Sequence, residues 1–126
     1  MIDATSVGSV LVVDDDRDLR ELVADLVEGS GRRVFTARDG TDALQQIEGD
    51  PLPRPCTVLL DWLMHPMDGR AFLERLAARP DAASFRVLLL SASSTAPPEG
   101  LPCPVLGALR KPFGVDELLA ALDSHG

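Results

Sequence analysis

The sequence predicts an α/β protein built on a doubly wound, five-stranded parallel sheet, and three observations carry that reading. Short apolar runs alternate with stretches of helical period along nearly the whole chain. The spacing is that of β-α units, which close a parallel sheet covered on both faces through right-handed crossovers. Charged residues stand where three of the runs end: Asp14-Asp15 after Val10 to Val13, Asp61 after Thr57 to Leu60, and Lys111 after Leu109-Arg110. In open α/β sheets that carboxyl edge is where ligands bind.

Val10 to Val13 is the first strand, and Leu19, Leu22, Val23, Leu26 and Val27 come after it at helical spacing until Gly29 and Gly31 stop the pattern. Arg33 to Ala37 is a second, shorter strand. Asp39 can then cap a helix carrying Ala43, Leu44 and Ile47, which Gly49, Asp50 and Pro51 end. Val58 to Leu60 supplies a third strand and Arg70 to Ala78 a helix with Phe72, Leu73 and Leu76 inward. Pro80 marks the break before a fourth strand, Phe85 to Leu90. The segment Ser93 to Pro104 should hold the next helix but contains Pro97, Pro98, Gly100, Pro102 and Pro104. An interior proline costs a helix about 3 kcal/mol, so a loop or a single turn is expected: the fourth helix is shortened or missing. Val105 to Arg110 is a fifth strand, weakened by Gly107 and Ala108, and Val115 to Leu122 a closing helix with Leu118, Leu119 and Leu122 inward. The expected organisation is a flexible tail over residues 1–9 and one domain over 10–124.

A chain of 126 residues fits one such domain. Its net charge of −8 and pI near 4.6 leave no basic patch for a phosphate backbone, so direct nucleic-acid binding is not expected. No apolar stretch reaches the roughly 18 residues of a membrane span, and Met1 to Ser9 lacks the regions of a signal peptide. No membrane association and a cytoplasmic location are the expectation. Cys56 and Cys103 each lie beside proline without metal-ligand spacing, and neither is assigned a catalytic role.

Asp14, Asp15 and Asp61, brought to one edge, would repel one another. A divalent oxygen-seeking cation such as Mg²⁺ is the usual relief. The pattern points to metal-assisted phosphate chemistry, with Lys111 as the cation on the protein's side. Gly29-Ser30-Gly31 is not a dinucleotide fingerprint, because it comes after a helix pattern and Val34 stands where the third glycine belongs. No Walker-type Gly-Lys-Ser/Thr run exists, so phosphate must arrive from a partner or a small activated donor. Asp16 reads as an acid favoured by the N-terminus of the first helix, and Asp68-Gly69 as a turn and cap before the third.

Val12-Val13-Asp14-Asp15, Asp61 followed by Met64, Met67, Asp68 and Gly69, Ser91-Ala92, and Lys111-Pro112-Phe113 occur in this order. In them the chain resembles a receiver domain of the two-component response regulators, from Val10 to about Ser124. The resemblance implies a flavodoxin-like sheet of order 2-1-3-4-5, in which each motif ends a different strand at one edge. It implies Asp61 as the nucleophile that takes a phosphoryl group from a phosphohistidine on a sensor histidine kinase or phosphotransfer protein. Asp15 and Asp61 resemble the direct Mg²⁺ ligands, with Asp14 acting mainly through metal-bound water and the backbone carbonyl of Leu63 completing the set. Lys111, preceding an expected cis bond to Pro112, would contact one phosphoryl oxygen, and Ser91 another in the phosphorylated state. The function so implied is a stand-alone phosphoacceptor switch, no enzyme beyond its own phosphorylation and dephosphorylation, that signals by contact with an unidentified downstream protein.

The chain also departs from the family's pattern. Ala108 stands where many receivers carry an aromatic residue, and with the proline-rich Ser93 to Pro104 this predicts a remodelled output surface. Output is expected through the loop after Asp61 and through that segment. Leu63 offers no polar side chain to orient water, which predicts slow self-dephosphorylation. His65, where proline is common, reads as a loop variant. Two other functions meet the same residues: a phosphorylation-independent pseudo-receiver docking module, against which the retained Asp14, Asp15, Asp61, Ser91 and Lys111 argue, and a Mg²⁺-dependent hydrolase, which would want a general acid where Leu63 stands.

Overall fold

Strands form at all five apolar runs and pair in parallel in the order β2-β1-β3-β4-β5. They are β1 (Ser9–Val13), β2 (Arg33–Ala37), β3 (Cys56–Asp61), β4 (Phe85–Ser91) and β5 (Gly107–Arg110), interleaved with α1 (Arg17–Gly29), α2 (Gly40–Gly49), α3 (Gly69–Ala77) and the closing α4 (Val115–His125). The computed structural model describes residues 8–49, 52–62, 69–91, 100–102, 105–111 and 113–125. Between β4 and β5 the described residues contain no helix; the remainder of that connection, including Cys103, lies outside the described residues.

Every residue of β1 and β3 is buried, as central strands of a sheet covered on both faces require. Alternate residues feed two cores. Leu11, Val13, Val58, Leu60, Val87 and Leu89 face α2 and α3, which contribute Ala43, Leu44, Ile47, Phe72, Leu73 and Leu76. Val10, Val12, Leu59, Leu88 and Leu90 face α1 and α4, which contribute Val23, Val27, Leu118 and Leu122. The helical spacing read from the sequence thus selects the inward faces, with one exception: Leu22, on the edge of the α1 stripe, is 55% exposed.

Element ends move where hydrogen bonding overrides composition. β1 begins at Ser9, whose hydroxyl donates to the Pro53 carbonyl at 2.7 Å and whose N–H donates to that of Pro55 at 3.1 Å. Gly8 precedes it with a φ of +81°, and a Cβ there would meet the Pro55 oxygen at 1.8 Å, so only glycine fits. β5 is shorter than expected, starting at Gly107, although Leu106 already donates to the Val87 carbonyl at 2.7 Å. At the same amino edge Arg54 lies 4.4 Å from the Phe85 ring centroid and pairs with Asp81 at 3.0 Å, and Arg79 pairs with Asp81 at 2.8 Å. The Arg79 hydrogen bond, with Arg54 assisting, holds the Asp81 carboxyl down to about 2.

The helices start where the sequence supplies caps. The Asp16 carboxylate accepts from the Leu19 N–H at 3.2 Å and the Asp39 carboxylate from the Asp42 N–H at 2.8 Å. Asp16 is therefore a helix cap, and Asp16→Ala should lose about 1 kcal/mol of stability while Asp16→Asn keeps most of it, measured by urea unfolding.

Candidate functional site

Strand register determines which side chains meet at the carboxyl edge. Val13 pairs with Leu60, so the next residues, Asp14 and Asp61, leave β1 and β3 side by side. Asp61 pairs with Leu90 and Ser91 with Arg110, which delivers Ser91 and Lys111 to the same edge one step further on. A 2.6 Å hydrogen bond from the Lys111 N–H to the Ser91 carbonyl fixes the last two to each other. The crevice lies where the strand order reverses about β1, the place at which such sheets bind ligands.

Asp14 is 1% exposed and Asp61 7%. Burying two adjacent carboxylates is costly unless they are paired, and Lys111 supplies the pairing. Its Nζ donates to Asp14 Oδ2 at 3.1 Å and to Asp61 Oδ1 at 3.2 Å. Asp14 Oδ1 accepts from the Asp16 N–H at 2.9 Å. Burial, reinforced by the Asp14 charge and only partly offset by Lys111, pushes the Asp61 carboxyl up from 3.8 to about 6. Burial acts to lower the Lys111 ammonium, but the charges of Asp14 and Asp61 and the hydrogen bonds to both outweigh it and raise the group, so it stays protonated. One ammonium facing two buried acids, with exposed Asp15 beside them, leaves the cluster short of positive charge.

A divalent cation would meet that shortage. Carboxylate oxygens of Asp14, Asp15 and Asp61 lie within 4.8 Å of one another. Hard oxygen donors converging in this way can hold such a cation, and an all-carboxylate set suits Mg²⁺, Mn²⁺ or Ca²⁺ better than a soft metal. The donors present therefore fit an ion of this class.

Trp62 flanks Asp61. Its N–H donates to the Leu90 carbonyl at 3.0 Å, and its own carbonyl accepts from Gly69 at 3.2 Å. The indole sits so close over Gly69 that a Cβ there would meet Cε3 at 2.6 Å, which explains the glycine at the start of α3. Arg70 lies 5.8 Å from the Trp62 ring centroid and donates to the Gly100 carbonyl at 3.0 Å. The residue after Asp61 is thus tied to the segment between β4 and β5.

Asp14, Asp15, Asp61, Ser91 and Lys111, the residues singled out from the sequence, come to this one edge. Leu63, His65, Asp68 and Pro112 lie outside the described residues, as does the peptide expected to be cis after Lys111. Cys56 opens β3 at the opposite edge, fully buried, and burial raises its thiol, away from a reactive thiolate. Arg20 carried no motif signal, yet its Nη1 donates to the Asp14 carbonyl at 2.9 Å.

Comparison with known proteins agrees with this geometry. The family model for the response regulator receiver domain matches residues 10–123. The response regulator MprA of Mycobacterium ulcerans is 35% identical over 113 residues, which cover 90% of this chain and 47% of that protein. Its counterpart in Mycolicibacterium vanbaalenii is 36% identical, with 90% and 48% covered. The chain thus spans about half the length of these curated relatives. Among solved structures, the chemotaxis response regulator CheY4 of Vibrio cholerae matches with a TM-score of 0.80 at 27% identity, over 93% of this chain and 97% of that one. The receiver domain of the Francisella response regulator 1452 matches at 0.78 and 29%, over 93% and 94%. With its acids and lysine meeting at the carboxyl edge of this sheet, the chain belongs to the family of response regulator receiver domains.

Proposed function

We propose that the chain is a signalling switch in which Asp61 accepts a phosphoryl group from a phosphohistidine on a sensor histidine kinase or phosphotransfer protein. The observation that carries this reading is the buried Asp61 carboxylate, held by Lys111 through one oxygen at 3.2 Å. Its second oxygen accepts no hydrogen bond among the described residues and is the one that attacks phosphorus. The P–N bond breaks as the O–P bond forms, and the electron pair leaves on the imidazole nitrogen.

The chain's own residues then account for the rest. Lys111 moves its ammonium from carboxylate to a phosphoryl oxygen without leaving the site, and the Ser91 hydroxyl donates to a second oxygen once the group is in place. Asp15 and Asp61 would hold Mg²⁺ directly and Asp14 through water; Leu63, whose carbonyl the family resemblance implies as a further ligand, lies outside the described residues. Asp14 favours the indirect role because Lys111 and Asp16 already engage its carboxylate, whereas Asp15 is exposed and unengaged among the described residues. When bound, the cation neutralises charge on the transferring group, the chief source of catalysis in phosphoryl transfer.

A macromolecular donor is supported by an apolar groove of about 430 Å³ beside the site, where Leu19, Leu22, Val23 and Leu26 of α1 face Phe113 and Val115, with Lys111 at its margin. Exposed apolar surface of this kind marks protein contacts. No helix among the described residues is long and apolar enough to cross a membrane. The signal leaves by contact with a downstream protein, and the Trp62, Arg70 and Gly100 connection supports the segment between β4 and β5 as part of that surface.

Incubation with acetyl phosphate and Mg²⁺ should add one phosphoryl group, about 80 Da by intact mass, with no adduct on Asp61→Asn. No adduct from either acetyl phosphate or a kinase donor would replace this reading with that of a phosphorylation-independent docking module. The raised Asp61 carboxyl has a separate outcome. A carboxyl whose folded value exceeds its unfolded one favours the fold when protonated, so its contribution is present below about pH 4 and lost as pH rises through 6. In chelator, wild-type protein should lose on the order of 3 kcal/mol across that window relative to Asp61→Asn, and added Mg²⁺ should restore stability at pH 7, read by thermal melts of both proteins.

A further inference from the structure

Arg20 stands at the end of the first turn of α1, and its guanidinium reaches back to the Asp14 carbonyl at 2.9 Å. That carbonyl lies where β1 leaves the sheet. The Asp14 N–H still pairs with the Ala37 carbonyl at 3.2 Å, but the chain then turns away into the helix, and Arg20 supplies the donor for this carbonyl one residue past β1. All four hydrogen-bonding groups of Asp14 are consequently engaged: N–H with Ala37, carbonyl with Arg20, Oδ1 with Asp16 and Oδ2 with Lys111. Asp15 differs. It is exposed, and its carboxylate makes no hydrogen bond or ion pair among the described residues. Because a peptide unit is planar, fixing the Asp14 carbonyl fixes the plane that carries the Asp15 nitrogen and Cα.

We propose that Arg20 is a positioning residue for the cation site: through the peptide joining Asp14 to Asp15 it sets the direction in which Asp15 presents its carboxylate. The inference rests on the functional reading above, in which Asp14, Asp15 and Asp61 hold a divalent cation. Charge alone predicts the opposite effect, since a guanidinium beside a cation site repels the cation and its removal would tighten binding. Geometry and charge therefore give opposite signs, and affinity separates them.

The experiment is a titration with Mg²⁺, following Trp62 emission, and with Mn²⁺, following its paramagnetic resonance, on wild-type, Arg20→Ala, Arg20→Lys and Arg17→Ala proteins. Arg17 is the control for charge. It lies on the same turn, its side chain is 77% exposed, and among the described residues its guanidinium pairs with Glu21 and not with the turn after β1. Arg20→Ala should weaken both ions about tenfold, the scale on which groups orienting metal ligands act. Arg20→Lys should recover part of the loss through a single donor, and Arg17→Ala should bind as wild type. Arg20→Met keeps the aliphatic stem and is read in the same way if circular dichroism shows that Arg20→Ala does not fold. Binding by Arg20→Ala or Arg20→Met as tight as wild type, or tighter, overturns the proposal. If wild-type protein binds neither ion, the metal reading itself fails and this inference falls with it.

Discussion

The structure depends on two buried carboxylates that share one lysine. Asp14 and Asp61 are buried at the ends of adjacent strands because Val13 and Leu60, the residues before them, are core. Removing the Lys111 charge would leave both acids uncompensated at buried positions, which is far costlier than never having had the group. Lys111 has to arrive from the far end of the chain to close it, across the β4 and β5 pairings. The order of the sheet is thus also the order in which the charges are assembled.

The two edges of the sheet do different work. At the amino edge, Ser9 and Gly8 lock onto Pro53 and Pro55, and Arg54, Asp81 and Arg79 form a closed ion-pair group over Phe85. Its polar groups are satisfied by the protein itself. The carboxyl edge is left with an excess of negative charge that the protein answers only in part. This asymmetry is what makes one end a support and the other a site.

Much of this is legible in the sequence because the strands that matter most are the most apolar. Val10 to Val13 and Thr57 to Leu60 admit no solvent-facing reading, and the charged residues after them mark the strand ends. The helical stripes are legible for the same reason, except at Leu22, where an apolar side chain at the right spacing faces solvent beside Phe113 and Val115. Spacing reports the helix face but not whether anything covers its edge. β5 starts at Gly107, later than the Val105 that opens its apolar run, since Gly107 and Ala108 bring little apolar signal and pairing alone sets the start. Arg20 cannot be read from the sequence at all. An arginine six residues beyond an aspartate has many places to go, and only the turn from β1 into α1 directs it at the Asp14 carbonyl.

Ser91 and Lys111 are joined backbone to backbone at 2.6 Å, at the ends of two paired strands. The hydroxyl and the ammonium that would close on a phosphoryl group are therefore jaws of a single tool with one shared pivot. The backbone of neither can shift without carrying the other, while each side chain keeps its own rotation. A displacement of the β4–β5 pairing therefore moves both jaws at their base at once.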